Sequence, residues 1–351
     1  MGSPQVTTGH GPGSFAPGLA LAAGVAIAAF LIEPLVQRLL PLPALVIALL
    51  LGMALNGVAR QPVFSAGLKF CVSRVLRIAV ALLGLRVALG DIFALGATTA
   101  LIVVVAMIAT VAAGFGLARL LGQTSAFGAL AGTATAVCGA SAALATSTVL
   151  PDYKGKEADV VFVIVAVNLL STLAMLLYAP LAHWLGMDMK LTGVLIGGSI
   201  HDVAQVVGAG YAVSDETGAT AVIVKLFRVL LLLPFVMAIG WAFARAGAGS
   251  GRAKVPVPVF ALGFLALCLV NSAVPLVPGA VPVYAPLKAF AGQVSTWGLL
   301  VAIAALGLGT SFSAIARLGM RHVLTVTGTT LVILGVVIAG LLLGMRGGVL
   351  L

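Results

Sequence analysis

The chain has 351 residues, 62% of them hydrophobic and 8% charged, with a formal net charge of +10 and a mean hydropathy of +1.23. A soluble fold of this length cannot hide so much apolar surface, which excludes a water-soluble enzyme or binding domain and makes lipid the solvent. The positive excess is scattered over loops without a basic cluster, which argues against nucleic acid, and three cysteines without metal-like spacing (Cys71, Cys138, Cys268) imply neither disulfides nor a zinc site.

In chain order, residues 1–18 are polar and rich in Gly, Ser and Pro, with no Lys or Arg, and read as a disordered tail lacking the charged start of a cleavable signal peptide. Eleven apolar segments come next, at about 19–36, 43–58, 70–89, 95–121, 126–149, 158–180, 191–211, 217–244, 257–275, 288–310 and 322–344. Most approach the roughly 20 residues that a helix needs to cross the hydrocarbon core, and none alternates as a membrane β-strand would. With eleven crossings, ten loop cations fall on the amino-terminal side and six on the other, which predicts a cytoplasmic amino terminus and an external carboxyl terminus in a bacterial inner membrane.

A 17-residue stretch occurs twice. Ser125-Ala126-Phe127-Gly128 runs on to Gly139-Ala140-Ser141, and Ser295-Thr296-Trp297-Gly298 to Gly309-Thr310-Ser311, with six of the 17 positions identical. A second pair of matched segments carries two cations at i and i+3, on one helix face: Arg74 and Arg77 in the first, Lys225 and Arg228 in the second. The expected architecture is an all-α polytopic membrane protein of about 11 transmembrane helices. An extra helix and loop (19–42) precede two inverted five-helix repeats, 43–185 and 186–351, whose Gly/Ser-interrupted helices 126–149 and 288–310 are broken and cross in the core. Closely packed helices also use small residues, so a single Gly/Ser cluster would mean little; the recurrence carries the weight.

Ionisable groups at membrane depth are costly and tend to line polar pathways. Here they are Arg77, His201, Asp202, Lys225 and Arg228. On a continuous helix His201 and Gln205 share a face, with Asp202 about 100° round from His201. Two readings of Asp202 stay open: a structural ion pair with Lys225 or Arg228, or a proton-coupling or gating pair with His201. Neither interrupted segment contains Asp or Glu, cations outnumber the one intramembrane carboxylate, and half-helix amino termini favour negative ligands, so a small anion is the expected substrate. Its site is expected to comprise Cys138, Gly139, Ser141, His201, Asp202, Gln205, Gly309, Thr310 and Ser311, with Arg77, Lys225 and Arg228 supplying charge or coupling. Asn168 and Asn271 read as interhelical hydrogen-bonding residues. No cofactor, metal or nucleotide-binding loop is expected, and a homodimer is an option.

The strings Ala136-Val137-Cys138-Gly139-Ala140-Ser141-Ala142, Gly198-Ser199-Ile200-His201-Asp202-Val203-Ala204-Gln205-Val206-Val207 and Lys225-Leu226-Phe227-Arg228-Val229 resemble the YeiH-type membrane proteins. Arg77, Gly84-Leu85-Arg86 and Ala305-Leu306-Gly307-Leu308 fit as well, and the likeness spans roughly residues 19–345. The resemblance implies a sulfate-exporter-type secondary transporter, with core and panel domains on a cation/proton antiporter-like scaffold. The expected activity is export of a small anion such as sulfate or sulfite, coupled to protons. The rival readings are a cation/proton antiporter using Asp202 and an intramembrane enzyme using Cys138 with His201.

Overall fold

The computed structural model describes residues 15–37, 43–245, 259–277, 279–310 and 319–346. The chain begins with α1 (Ala16–Val36), α2 (Ala44–Ala54), α3 (Asn56–Ala59), α4 (Pro62–Phe70), a π turn at Cys71–Val75 and α5 (Leu76–Leu82). A 3₁₀ turn at Leu83–Arg86 leads to α6 (Leu89–Ala94), α7 (Gly96–Leu120), α8 (Ser125–Ala136), α9 (Ala140–Ser147) and α10 (Lys156–Trp184). Then come α11 (Met189–Ser199), α12 (Val203–Val213), α13 (Asp215–Leu230), α14 (Leu232–Arg245), α15 (Val259–Ala273), α16 (Val281–Gly309) and α17 (Met320–Arg346). Among the described residues six helical stretches are long and apolar enough to cross a membrane: Ala16–Val36, Gly96–Leu120, Lys156–Trp184, Asp215–Arg245, Val281–Gly309 and Met320–Met345.

Two compact units divide the chain, one from residues 1–79 with 296–310, the other from 80–295 with 311–351. In the first, α1 and α2 pack with the last turns of α16 around Ala22, Ala26, Ala29, Ile47, Ala48, Ala304, Ala305 and Leu308. Small residues set the spacing: a Cβ on Gly307 would lie 2.3 Å from the Leu49 carbonyl oxygen, so nothing larger than glycine lets these backbones approach. Asn56 donates its amide to the Leu308 carbonyl at 2.7 Å.

The second unit is organised by direction. α7 and α17 are antiparallel, with Leu117 against Gly328 and Ile102 against Gly340. After a turn, α8 runs back along α7, Gly128 beside Gly114 and Gly132 beside Val111. At Val137–Gly139 the helix breaks, and Gly139 takes φ +64° and ψ −123°, a region open to glycine alone. This tip sits against Val167, about three turns into α10. From there α9 returns toward the start of α10, where Lys156 bonds the Leu150 carbonyl. Phe127, at the mouth of α8, stacks near Phe162 of α10 and His322 of α17, so all three helix starts share one end.

The second interrupted segment enters from the other end. α11 runs parallel to α13, Gly193 beside Thr217 and Thr220, Gly197 beside Ala221 and Val224. The chain turns at Ile200–Asp202, and α12 runs back antiparallel to α13, bringing Gly210 onto Gly218. Thr217 also bonds the Met189 carbonyl, fixing the start of α11 beside the start of α13.

The segments 126–149 and 191–211, expected to cross the membrane, are therefore re-entrant hairpins. Their half-helices have 12, 8, 11 and 11 residues. At 1.5 Å per residue these reach about 12–18 Å, half the thickness of a ~30 Å hydrocarbon core. Segment 288–310 is also different from expectation: α16 is continuous through it and ends at Gly309, the residue aligned with Gly139. Residues 311–318, Ser311 among them, lie outside the described residues.

Candidate functional site

Half-helices that end at membrane depth leave backbone groups unpaired, and these must find partners inside the protein. At the two tips the partners are cations from α13. Lys225 places its Nζ among three main-chain oxygens, donating to Val137 at 2.6 Å, to Ile200 at 3.0 Å and to His201. Arg228, one turn on, donates from Nε to Ala136 (3.0 Å), from Nη1 to Gly197 (2.9 Å) and Ile200 (2.8 Å), and from Nη2 to Thr135 (2.9 Å). Both side chains are fully buried. The i, i+3 spacing seen in the sequence puts the two charges on one face; the structure shows that face clamping the carboxyl-terminal ends of α8 and α11 together.

The amino-terminal ends at the tips are treated differently. Asp202 caps α12, its Oδ1 accepting from the Ala204 amide at 2.8 Å. Ser171 of α10 accepts from the His201 and Asp202 amides at 3.2 and 3.0 Å. Thr124, Asp188 and Ser214 cap α8, α11 and α13 in the same way. Of the four half-helices α9 alone lacks such a cap: its cap position is Gly139, which, like Gly155 before α10, has no side chain to offer, and Ser141 in its first turn is exposed. A helix start without a side-chain cap carries about half a positive charge and amides that can face a ligand, the elements of an anion site, with the Ala142 amide already on the Cys138 sulfur. Gly139 lies close to the Asp202 side chain, 3.9 Å from an added Cβ.

Polar side chains surround the tips. His201 Nε2 pairs with Thr330 Oγ1 at 3.0 Å, while its buried Nδ1 has no partner. Gln205 donates to Asn168 at 3.0 Å, and its buried Oε1 is likewise unpaired. Thr135 pairs with Thr329. The hydroxyls of Ser171, Thr330 and Thr135 escaped the sequence reading because a lone Ser or Thr in an apolar run looks like ordinary helix packing.

Of the residues singled out in the sequence, Cys138, Gly139, Ser141, His201, Asp202, Gln205, Lys225 and Arg228 come together at the tips. Gly309 and Thr310 belong to the other unit, where Thr310 bonds back to Leu306 at 2.8 Å. Arg77 is also in that unit and exposed, in contrast to the buried Arg228 with which it was grouped. His201 does not engage the Cys138 thiol: one ring nitrogen is on Thr330 and the other is unpartnered. Asn168 and Asn271 do make interhelical hydrogen bonds, Asn271 to the Val87 carbonyl and to Lys288.

Residues 17–326 match the model of a family described as conserved hypothetical protein 698. A UPF0324 membrane protein of Rhizobium meliloti is 42% identical over 332 residues, covering 93% of both chains. The chain belongs to the UPF0324 family of membrane proteins. UPF0324 members named TauZ, from Paracoccus pantotrophus and Paracoccus denitrificans, are 42% and 41% identical over 303 residues, 85% of this chain and 88% of each relative. As a UPF0324 protein the chain is a multi-pass membrane protein, helical without strands among the described residues, and this is the family that the tip strings at Cys138 and His201 resemble.

Proposed function

We propose that the chain is a secondary transporter of the bacterial inner membrane that exports a small anion such as sulfate or sulfite. The anion binds at the start of α9, between the hairpin tips, together with a proton on Asp202. The observation that carries this is the uncapped α9 amino terminus at membrane depth, against capped starts for α8, α11, α12 and α13. Charge counting supports the proton. Lys225 and Arg228 bring two positive charges; the carboxyl-terminal ends of α8 and α11 take away about half a charge each, and the amino-terminal ends of α9 and α12 give back about as much. An ionised Asp202 leaves about one positive charge. A doubly charged anion such as sulfate then leaves the buried tips negative unless Asp202 takes up a proton, and burying an uncompensated charge is costly.

The opposed entry of α8–α9 and α11–α12 suits alternating access about a fixed mid-depth site, and each hairpin falls in a different one of the two sequence repeats. The end holding the α8–α9 mouth bears Arg119, Lys154, Lys156, Arg245 and Arg321, which favours that end as cytoplasmic. Treating 126–149 as a hairpin moves Lys154 and Lys156 to the side of Arg119, opposite to where eleven crossings placed them. The antiporter reading is less well supported, because the tip carbonyls that would coordinate a metal cation already surround the Lys225 ammonium.

Counterflow of radiolabelled sulfate and sulfite in proteoliposomes tests the proposal. Uptake that is accelerated by an inward proton gradient, and that loses this acceleration in Asp202→Asn, is the expected result. Sodium-dependent proton movement abolished by the same substitution, with no anion flux, would replace it with the antiporter.

A further inference from the structure

A second polar feature lies away from the tips, in the same unit. A cleft of about 420 Å³ is lined by Arg86, Tyr211, Asp215, Ala219 and Lys288. It opens at the hairpin end of α12 and α13, and Asp215 precedes Lys225 by ten residues on one helix. At 1.5 Å per residue the cleft is therefore about 15 Å along α13 from the tips. Its two cations come from segments far apart in sequence, and each is oriented by the backbone or by an amide. Arg86 donates to the Gly292 carbonyl at 2.9 Å. Lys288 donates to Asn271 Oδ1 at 2.8 Å, and Asn271 is itself held by the Val87 carbonyl at 3.0 Å, next to Arg86 in sequence.

We propose that this cleft is a separate binding site for a small oxyanion, a waiting position on the path between water and the tips. The chemistry fits. A guanidinium held by the backbone through one nitrogen, an ammonium and a phenol can each contact a different oxygen of a tetrahedral or planar oxyanion. The volume is several times what a bare tetrahedral anion needs, so the ligand binds partly hydrated. Asp215 sets the strength: its negative charge beside two cations keeps the net charge near one positive unit, so an anion is attracted but also released. A tight site would trap the ligand, whereas a waiting site has to let it go. That this anion is also the transported one rests on the function proposed above; that the cleft binds an oxyanion does not.

Equilibrium binding of radiolabelled sulfate to the purified full-length protein is the test, with Ser141→Phe used to obstruct the α9 start. The cleft should go on binding sulfate in Ser141→Phe. Adding Arg86→Gln or Lys288→Gln to that background should weaken this remaining binding about tenfold, Lys288→Arg should restore most of it, and Asp215→Asn should strengthen it. Because Arg86 also bonds the backbone, the Lys288 pair of variants stands as evidence even if Arg86→Gln folds poorly. Remaining binding that is indifferent to Lys288→Gln and Asp215→Asn, or no sulfate binding at all, would overturn the proposal. Cleft binding that behaves as expected in a protein that transports neither sulfate nor sulfite would refute the transport reading and leave the cleft standing.

Discussion

Replacing Lys225 with Met keeps the length of the side chain and removes the ammonium that joins the two tips. Three carbonyl oxygens, from Val137, Ile200 and His201, then lose a common donor in a buried setting. Interhelical hydrogen bonds inside membrane proteins average about 0.6 kcal/mol and reach about 1.7 kcal/mol. Three of them amount to about 2–5 kcal/mol, reduced by the relief of no longer burying a charge. Arg228 still binds Gly197, Ile200, Ala136 and Thr135, so the fold survives with loosened tips. Cys138 reports on the loosening, since it lies in the first tip and is buried. In a background with Cys71 and Cys268 changed to Ser, a membrane-permeant maleimide should label Cys138 at least tenfold faster in Lys225→Met than in the parent, with a lower unfolding temperature. Equal labelling rates and equal stability would mean that the ammonium does not hold the tips, and the reasoning about half-helix ends would fail.

The same geometry sets other outcomes. Gly139→Ala forces a side chain into φ +64°, ψ −123° and should cost about 1–3 kcal/mol by thermal unfolding, although a Cβ there meets nothing closer than 3.7 Å, so the loss reports strain without a clash. Ser171→Ala strands the His201 and Asp202 amides and should cost about 1–3 kcal/mol, with Ser171→Thr recovering part of it. At the α8–α9 mouth, Tyr153 donates to Asp159 at 3.0 Å, and burial together with that carboxylate pushes its phenol up from the ordinary tyrosine value. A raised folded-state value means stability that is present at neutral pH and lost as pH climbs past the ordinary tyrosine range, so Tyr153→Phe should flatten the alkaline decline of the unfolding temperature.

The helical, membrane-embedded class was legible from composition, because nothing but lipid accommodates this hydropathy. The break at Gly139 was legible only in part: the 17-residue stretch puts a glycine at the same place in both copies, yet only Gly139 takes a positive φ, whereas Gly309 ends a continuous α16. His201, Asp202, Lys225 and Arg228 were legible, since charges in apolar runs need partners. Direction was not legible. An apolar segment of about 20 residues has the same hydropathy whether it crosses or folds back, and only the close approaches of Gly193, Gly197 and Gly210 to α13 separate the two. The partner of the first tip was hidden for another reason. Internal similarity relates Gly139 to Gly309, but similarity marks descent and not contact, and the described neighbour of Gly139 is the break at His201 and Asp202. Helical spacing put Lys225 and Arg228 on one face without indicating that main-chain carbonyls at the two tips receive their hydrogen bonds.

The measurement that bears most directly on two opposed hairpins is one-sided labelling of single cysteines in a protein lacking its native three. Ser125→Cys and Thr148→Cys bracket α8–α9, while Asp188→Cys and Ser214→Cys bracket α11–α12. A membrane-impermeant maleimide should reach the first two from one face only and the second two from the opposite face only. Ser125 and Thr148 labelled from opposite faces would make 126–149 a crossing and contradict the meeting of tips on which the site depends.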